Sequence, residues 1–124
     1  MTSLALLLTV TAAGAVGAVT RVVVESMVGT RWRGVPLAVP LINVSGSAAL
    51  GVLAGLVLFR GAPDTLTTIV GTGFCGGFTT FSTAMVNAVR LVQDGRTRAA
   101  LVSVSATAGL SVGACALGMA VTAL

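Results

Sequence analysis

Histidine and lysine are both absent from this 124-residue chain, which has only three carboxylate side chains and two cysteines. Each shortage closes off a class of function. With no histidine, and with its few cysteines and carboxylates scattered, the sequence has no cluster able to hold zinc. It also lacks the nucleophile–base pair that would mark an enzyme. Cys75 and Cys115 lie inside apolar segments, where small packing residues are expected rather than a disulfide. Charged residues make up 8% of the chain against 56% hydrophobic, with a mean hydropathy of +1.07. A soluble domain draws about a quarter of its residues from Asp, Glu, Lys and Arg. This chain falls far short of that, and its apolar surface must face lipid.

The net charge of +4 does not point to nucleic acid. All the cations are arginines, at 21, 31, 33, 60, 90, 96 and 98, and they sit at or near the ends of apolar runs instead of forming a patch. That is how a membrane protein distributes charge between loops and interfaces. Met1 to Ala18 is apolar and ends in small residues but lacks the basic n-region of a secretory signal, so it is expected to be the first membrane helix.

Crossing the hydrocarbon core takes about 20 apolar residues at roughly 1.5 Å each. Four stretches qualify, at about 4–24, 37–59, 66–91 and 99–123, giving a single all-α, multi-pass transmembrane domain in a cell membrane. The connections at 25–36, 60–65 and 92–98 are short enough to force antiparallel neighbours. Small residues recur every fourth position at Ser47, Gly51 and Gly55, and again at Gly109 and Gly113, a spacing that lets another helix backbone approach closely.

The third span is unusual. Its centre reads Gly71-Thr-Gly-Phe-Cys-Gly-Gly-Phe-Thr-Thr-Phe-Ser-Thr83, and each interior glycine costs a helix about 1 kcal/mol relative to alanine. Irregular backbone at membrane depth is tolerated only where it is buried in protein or lines a polar path. A break here would free carbonyls and amides of the kind that build ion sites. The alternative is an unbroken helix with a glycine packing notch and hydroxyls bonded back to their own carbonyls. Asn43, in Pro40-Leu-Ile-Asn-Val-Ser-Gly46, needs a partner in another helix or a permeant species. In the fourth span Thr107 and Ser111 share a face.

Gly73-Phe-Cys-Gly-Gly-Phe-Thr-Thr-Phe-Ser-Thr83 resembles the central signature of the Fluc/CrcB fluoride channels. Asn43-Val-Ser-Gly-Ser-Ala-Ala-Leu-Gly51 looks like that family's second-helix segment, and Arg21, after the Gly/Ala-rich run 14–18, is similar to its first-helix arginine. The resemblance covers essentially the whole chain. It implies a passive fluoride channel that lowers cytoplasmic fluoride, built as a dimer of antiparallel subunits with the third helix broken at its centre. It also implies a structural Na+ at the subunit interface that is not transported. By position, the carbonyls of Gly76 and Thr79 would hold the sodium. Asn43 and Phe81 would line the fluoride path with Thr80, Ser82 and Thr83 beside it. Thr107 and Ser111 match the polar track of the fourth helix, and Arg21 would sit near a vestibule.

The sequence departs from that pattern in two ways. The family signature continues to a second phenylalanine where this chain has Ala84, and Val39-Pro40 stands where a more polar lead-in to Asn43 is common. The arginines are also biased. Arg31, Arg33, Arg96 and Arg98 fall in loops one and three, with Arg21 and Arg90 near that face, against Arg60 alone on the other. Under the positive-inside rule, loops one and three are expected in the cytoplasm, whereas a subunit of dual topology should show little bias. The second subunit is therefore expected to be an oppositely oriented paralogue that supplies the missing phenylalanine, the plainer alternative being a homodimer. Two rival functions stay open at this point. A small multidrug-type proton-coupled exporter would need a membrane-embedded carboxylate, and Glu25, Asp64 and Asp94 sit at helix ends or in loops. A structural subunit without transport would need only the glycine packing.

Overall fold

The computed structural model describes residues 2–124; Met1 lies outside the described residues. Four helical spans long and apolar enough to cross a membrane run over Ser3–Met27, Ala38–Arg60, Asp64–Gln93 and Thr97–Ala123. The first, α1, is Ser3–Met27 and is started by Thr2, whose hydroxyl accepts from the Ala5 amide at 3.3 Å, a side-chain N-cap. The second, α2, is Ala38–Arg60. Pro40 falls in its first turn, where a missing N–H leaves no intrahelical bond unmade. It stops at Gly61, in the left-handed region at φ 67°, with the Ala62 amide donating to the Leu56 carbonyl at 3.1 Å.

The third span is interrupted, as its central glycines and hydroxyls predict. A short turn α3 (Asp64–Leu66) leads into a π-helix over Thr67–Cys75 and a further turn α4 (Gly76–Phe78). Thr79 then turns extended at ψ 158°, and the helix restarts as α5 over Ser82–Gln93. After a turn at Gly95, α6 covers Thr97–Ala123.

Two features were not expected. The π-helix leaves no trace in hydrophobic periodicity. The first loop carries a two-stranded antiparallel hairpin, β1 (Arg31–Trp32) and β2 (Val35–Pro36), with Arg33 and Gly34 at its tip, both at positive φ. Paired positive φ values are what a two-residue turn between twisted strands requires.

Glycines set the helix contacts. A Cβ on Gly51 would strike the Cys115 carbonyl, and one on Gly118 the Ala48 carbonyl, so α2 and α6 lie backbone to backbone. In the same way Gly17 meets the Phe74 carbonyl and Gly77 the Gly14 carbonyl, joining α1 to the first limb of the third span. Gly109 and Gly113, grouped with Gly51 and Gly55 by spacing, meet nothing within 4 Å. The glycine of α6 that receives α2 is Gly118. The side-chain core is correspondingly thin: among the described residues Ile42 is 1% exposed, and Val39 and Leu91 are the other large aliphatic side chains that are buried. Leucines and valines on all four spans remain exposed, as a lipid-facing surface demands.

Arg60 closes one end of the bundle, its Nε donating to the Thr122 carbonyl at 3.0 Å, so α2 and α6 finish on the same face. At the opposite end Arg96 Nη2 donates to the Arg33 carbonyl, tying the hairpin to the start of α6. Loops one and three, with their arginines, therefore gather on one face.

Candidate functional site

The interruption at 79–81 exposes backbone that a helix would otherwise satisfy, and the structure shows which groups find new partners. Asn43 Nδ2 donates to the Thr80 carbonyl at 2.8 Å, and Asn43 Oδ1 accepts from the Thr80 amide at 2.8 Å. One carboxamide thus pairs both polar groups of a single peptide residue in the manner of a strand neighbour. This fixes which way the amide points and leaves its second N–H free. Gly46, one turn after Asn43, makes the approach possible: a Cβ there would overlap the Thr79 methyl and lie 3.3 Å from the Phe78 ring. Thr80 is only 6% exposed, so unpaired polar groups here would cost roughly 1–3 kcal/mol each.

The restart of the helix is capped from within. Thr80 Oγ1 accepts from the Thr83 amide at 3.3 Å and donates to Thr83 Oγ1 at 3.2 Å, while Ser82 Oγ lies 3.4 Å away. Thr79 Oγ1 turns back to the Cys75 carbonyl at 2.9 Å, and the Thr79 amide donates to the same carbonyl at 2.9 Å. Among the described residues no donor reaches the carbonyl of Gly76 or of Thr79: the Thr80 amide that would have closed on Gly76 is taken by Asn43. Gly76 itself is exposed and faces open space.

Against the break lies a cavity of about 270 Å³ between α2, α5 and α6. Asn43, Thr80, Phe81, Thr107 and Ser111, read from the sequence as pathway residues, line it together, along with Ala84. Their hydroxyls are not equivalent. Thr107 Oγ1 is spent on the Ser103 carbonyl of its own helix at 2.7 Å, whereas Ser111 Oγ is buried with no partner. The Ser111 hydroxyl and the second Asn43 N–H therefore keep hydrogen-bonding capacity that no group among the described residues uses. No carboxylate lines this cavity among the described residues. Phe81 stands out from the break with 78% of its surface exposed.

The remaining candidates lie elsewhere. Thr83 lines a separate cavity of about 360 Å³ with Glu25 and Asn87, towards the face of loops one and three. Ser82 is exposed and lines none of the described cavities. Arg21 is half-buried on α1, its Nε without a partner, one turn from Glu25, whose Oε1 is also unpartnered. Sequence reading missed Ser47, Asn87 and Ser103 as lining residues of the central cavity. Serines inside an apolar helix commonly bond back to their own backbone, so nothing in the one-dimensional pattern sets these apart.

Fold and site together define a small multi-pass membrane protein with an interrupted span beside an uncharged, mainly apolar cavity into which a few hydroxyls and carboxamides are set. Residues 8–119 match the family described as CrcB-like protein, Camphor Resistance (CrcB). The chain belongs to that family. It is 44% identical over 113 residues to a protein of Leifsonia xyli described as fluoride-specific ion channel FluC 1, covering 90% of this chain and 82% of that one. It is 40% identical over 119 residues to a FluC 2 of Mycolicibacterium paratuberculosis, covering 95% and 94% of the two chains. A FluC 1 of Symbiobacterium thermophilum is 40% identical over 112 residues, covering 87% and 90%.

Proposed function

We propose that this chain is one subunit of a fluoride-selective passive channel, with the anion passing through the cavity beside the break. The observation that carries the reading is the Asn43–Thr80 pairing. It pairs both polar groups freed at the rupture and sets the carboxamide on the lining of a cavity that has no fixed charge. The relatives' description as fluoride-specific channels supports the choice of ion.

Fluoride is small and strongly hydrated, so a selective path must replace its water with donors. Ser111 Oγ–H and the free Asn43 N–H can do so, and the rim of the Phe81 ring presents a positive edge to an anion. The N-terminus of α5, opening at the break, adds the positive end of a helix dipole. With no arginine in the cavity, binding stays weak enough for the ion to leave, as conduction requires. A negative interior drives anion exit by about 2.3 kcal/mol per 100 mV without any coupled proton. A proton-coupled exporter would need a carboxylate in the same cavity, and none lines it among the described residues.

The donor set at the break also fits a structural sodium. Sodium is a hard cation that takes neutral oxygen ligands, and the unbonded Gly76 and Thr79 carbonyls are such ligands. When bound, the ion would supply positive potential near the anion path. Two carbonyls are too few for a full shell, and one face of Gly76 is open, which supports a second subunit contributing its own pair. The exposed Phe81 ring supports the same conclusion. The gathering of arginines on one face favours a partner of opposite orientation over a second copy, and the relatives' numbering as FluC 1 and FluC 2 agrees.

Two outcomes follow. In liposomes the chain alone is expected to release fluoride poorly and to gain flux when an inverted paralogue is co-reconstituted; robust flux from the chain alone would instead establish a homodimer. Ser111→Ala removes a buried hydroxyl that has no partner among the described residues and is expected to slow fluoride efflux about tenfold, the loss of one hydrogen bond to an anion. Thr107→Val, whose hydroxyl already serves its own helix, should cost much less.

A further inference from the structure

We propose that the groove between the first-loop hairpin and α6 is a binding site for an anionic phospholipid of the leaflet on the loop-one and loop-three face. The groove, about 750 Å³, adjoins the cavity beside the break and shares Val35, Pro40, Ser103 and Thr107 with it, but unlike that cavity it carries charge. One end is cationic: Arg33, Arg96 and Arg98 all line it, with Trp32 beside them, and no carboxylate lines it among the described residues. The other end is apolar, running down α6 past Val102 and Ala106 to Leu110.

Three features fit this occupant. The first is charge: guanidinium groups bind phosphate oxygens through paired N–H donors, and basic pockets beside membrane helices on the positive-inside face recognise anionic headgroups. The second is length. From Arg98 to Leu110 the helix rises about 18 Å at 1.5 Å per residue, close to the roughly 15 Å depth of one leaflet in a 30 Å hydrocarbon core. A headgroup on the arginines therefore places its acyl chain along Val102, Ala106 and Leu110. The third is built-in order. The hairpin tip holds Arg33 at φ 51°, its guanidinium 5.4 Å above the Trp32 ring, and Arg96 ties that tip to α6 through the Arg33 carbonyl. The cationic end is thus assembled before any lipid arrives. Arg98 is exposed and makes no hydrogen bond among the described residues, so its charge is free for a ligand. The inference does not depend on which ion the channel conducts.

Trp32, the chain's single tryptophan, provides the readout. The full chain is reconstituted in phosphatidylcholine vesicles containing a minor fraction of brominated lipid, either phosphatidylglycerol or phosphatidylcholine, and quenching of Trp32 is titrated. Phosphatidylglycerol is expected to quench at a much lower mole fraction. Arg33→Gln with Arg98→Gln should cut that preference about 25-fold, roughly fivefold for each charge removed at an anionic surface. Arg98→Gln alone leaves the hairpin's internal contacts intact and should cut it about fivefold. Equal quenching by the two lipids, or a preference that survives the double substitution, would overturn the proposal. So would a Trp32 that neither lipid reaches, since that result means a protein partner covers the groove.

Discussion

Asn43→Asp is expected to abolish fluoride flux while leaving the protein in the membrane. The substitution changes one atom group but reverses the chemistry at the break. Nδ2 no longer donates to the Thr80 carbonyl, so two oxygens face each other where a 2.8 Å hydrogen bond had been. The amide-to-Oδ1 bond can persist, which is why the fold should survive. The lost donor also leaves a negative charge lining the cavity. At about 4 Å and an effective dielectric near 20, two unit charges repel by about 4 kcal/mol, close to a thousandfold in occupancy by an anion. A fluoride electrode recording efflux from liposomes checks this. Flux within a few-fold of wild type would remove Asn43 from the pathway.

The second large effect concerns backbone contact. Gly51→Ala places a methyl group on the Cys115 carbonyl, and Gly77→Ala places one on the Gly14 carbonyl. Neither neighbour is a flexible side chain that can rotate away, so the helices themselves must part. Overpacking of this kind costs about 1–3 kcal/mol and occasionally more. In a bundle with so thin a side-chain core, either change is expected to lower the thermal midpoint sharply and yield aggregated protein on size exclusion. Gly109→Ala and Gly113→Ala meet nothing within 4 Å in the chain and should leave the subunit folded. If they disrupt fluoride flux or subunit association instead, they mark the partner's footprint. Equal stability of Gly51→Ala and Gly113→Ala would contradict the packing described.

These contrasts show where a sequence is readable and where it is not. The four spans are plain because an uninterrupted apolar run has few other uses. The rupture of the third is visible because paired glycines followed by hydroxyls make a weak helix at a depth where weakness has no solvent to hide it. What holds the rupture open is not visible. Asn43 and Thr80 are 37 residues apart, and a lone carboxamide announces only that it needs a partner. The same limit explains the glycines. Spacing of four puts Gly109 and Gly113 on one face but cannot say that α2 passes them by and lands on Gly118. The hairpin escaped notice because strands of two residues carry no period, and its sole cue is the Arg33-Gly34 pair. Among the hydroxyls, only geometry separates Ser111, buried without a partner, from Thr107, already bonded to its own helix.

The decisive property of the proposed channel is passive, electrically driven passage of fluoride beside a span broken and held by Asn43. It is tested most directly by loading liposomes bearing the assembled channel with fluoride and chloride, then setting the membrane potential with a potassium gradient and ionophore. Fluoride is expected to leave as soon as the ionophore is added, with no proton gradient present, while chloride stays inside. Fluoride that stays inside until a proton gradient is imposed, or chloride that leaves alongside it, would contradict it.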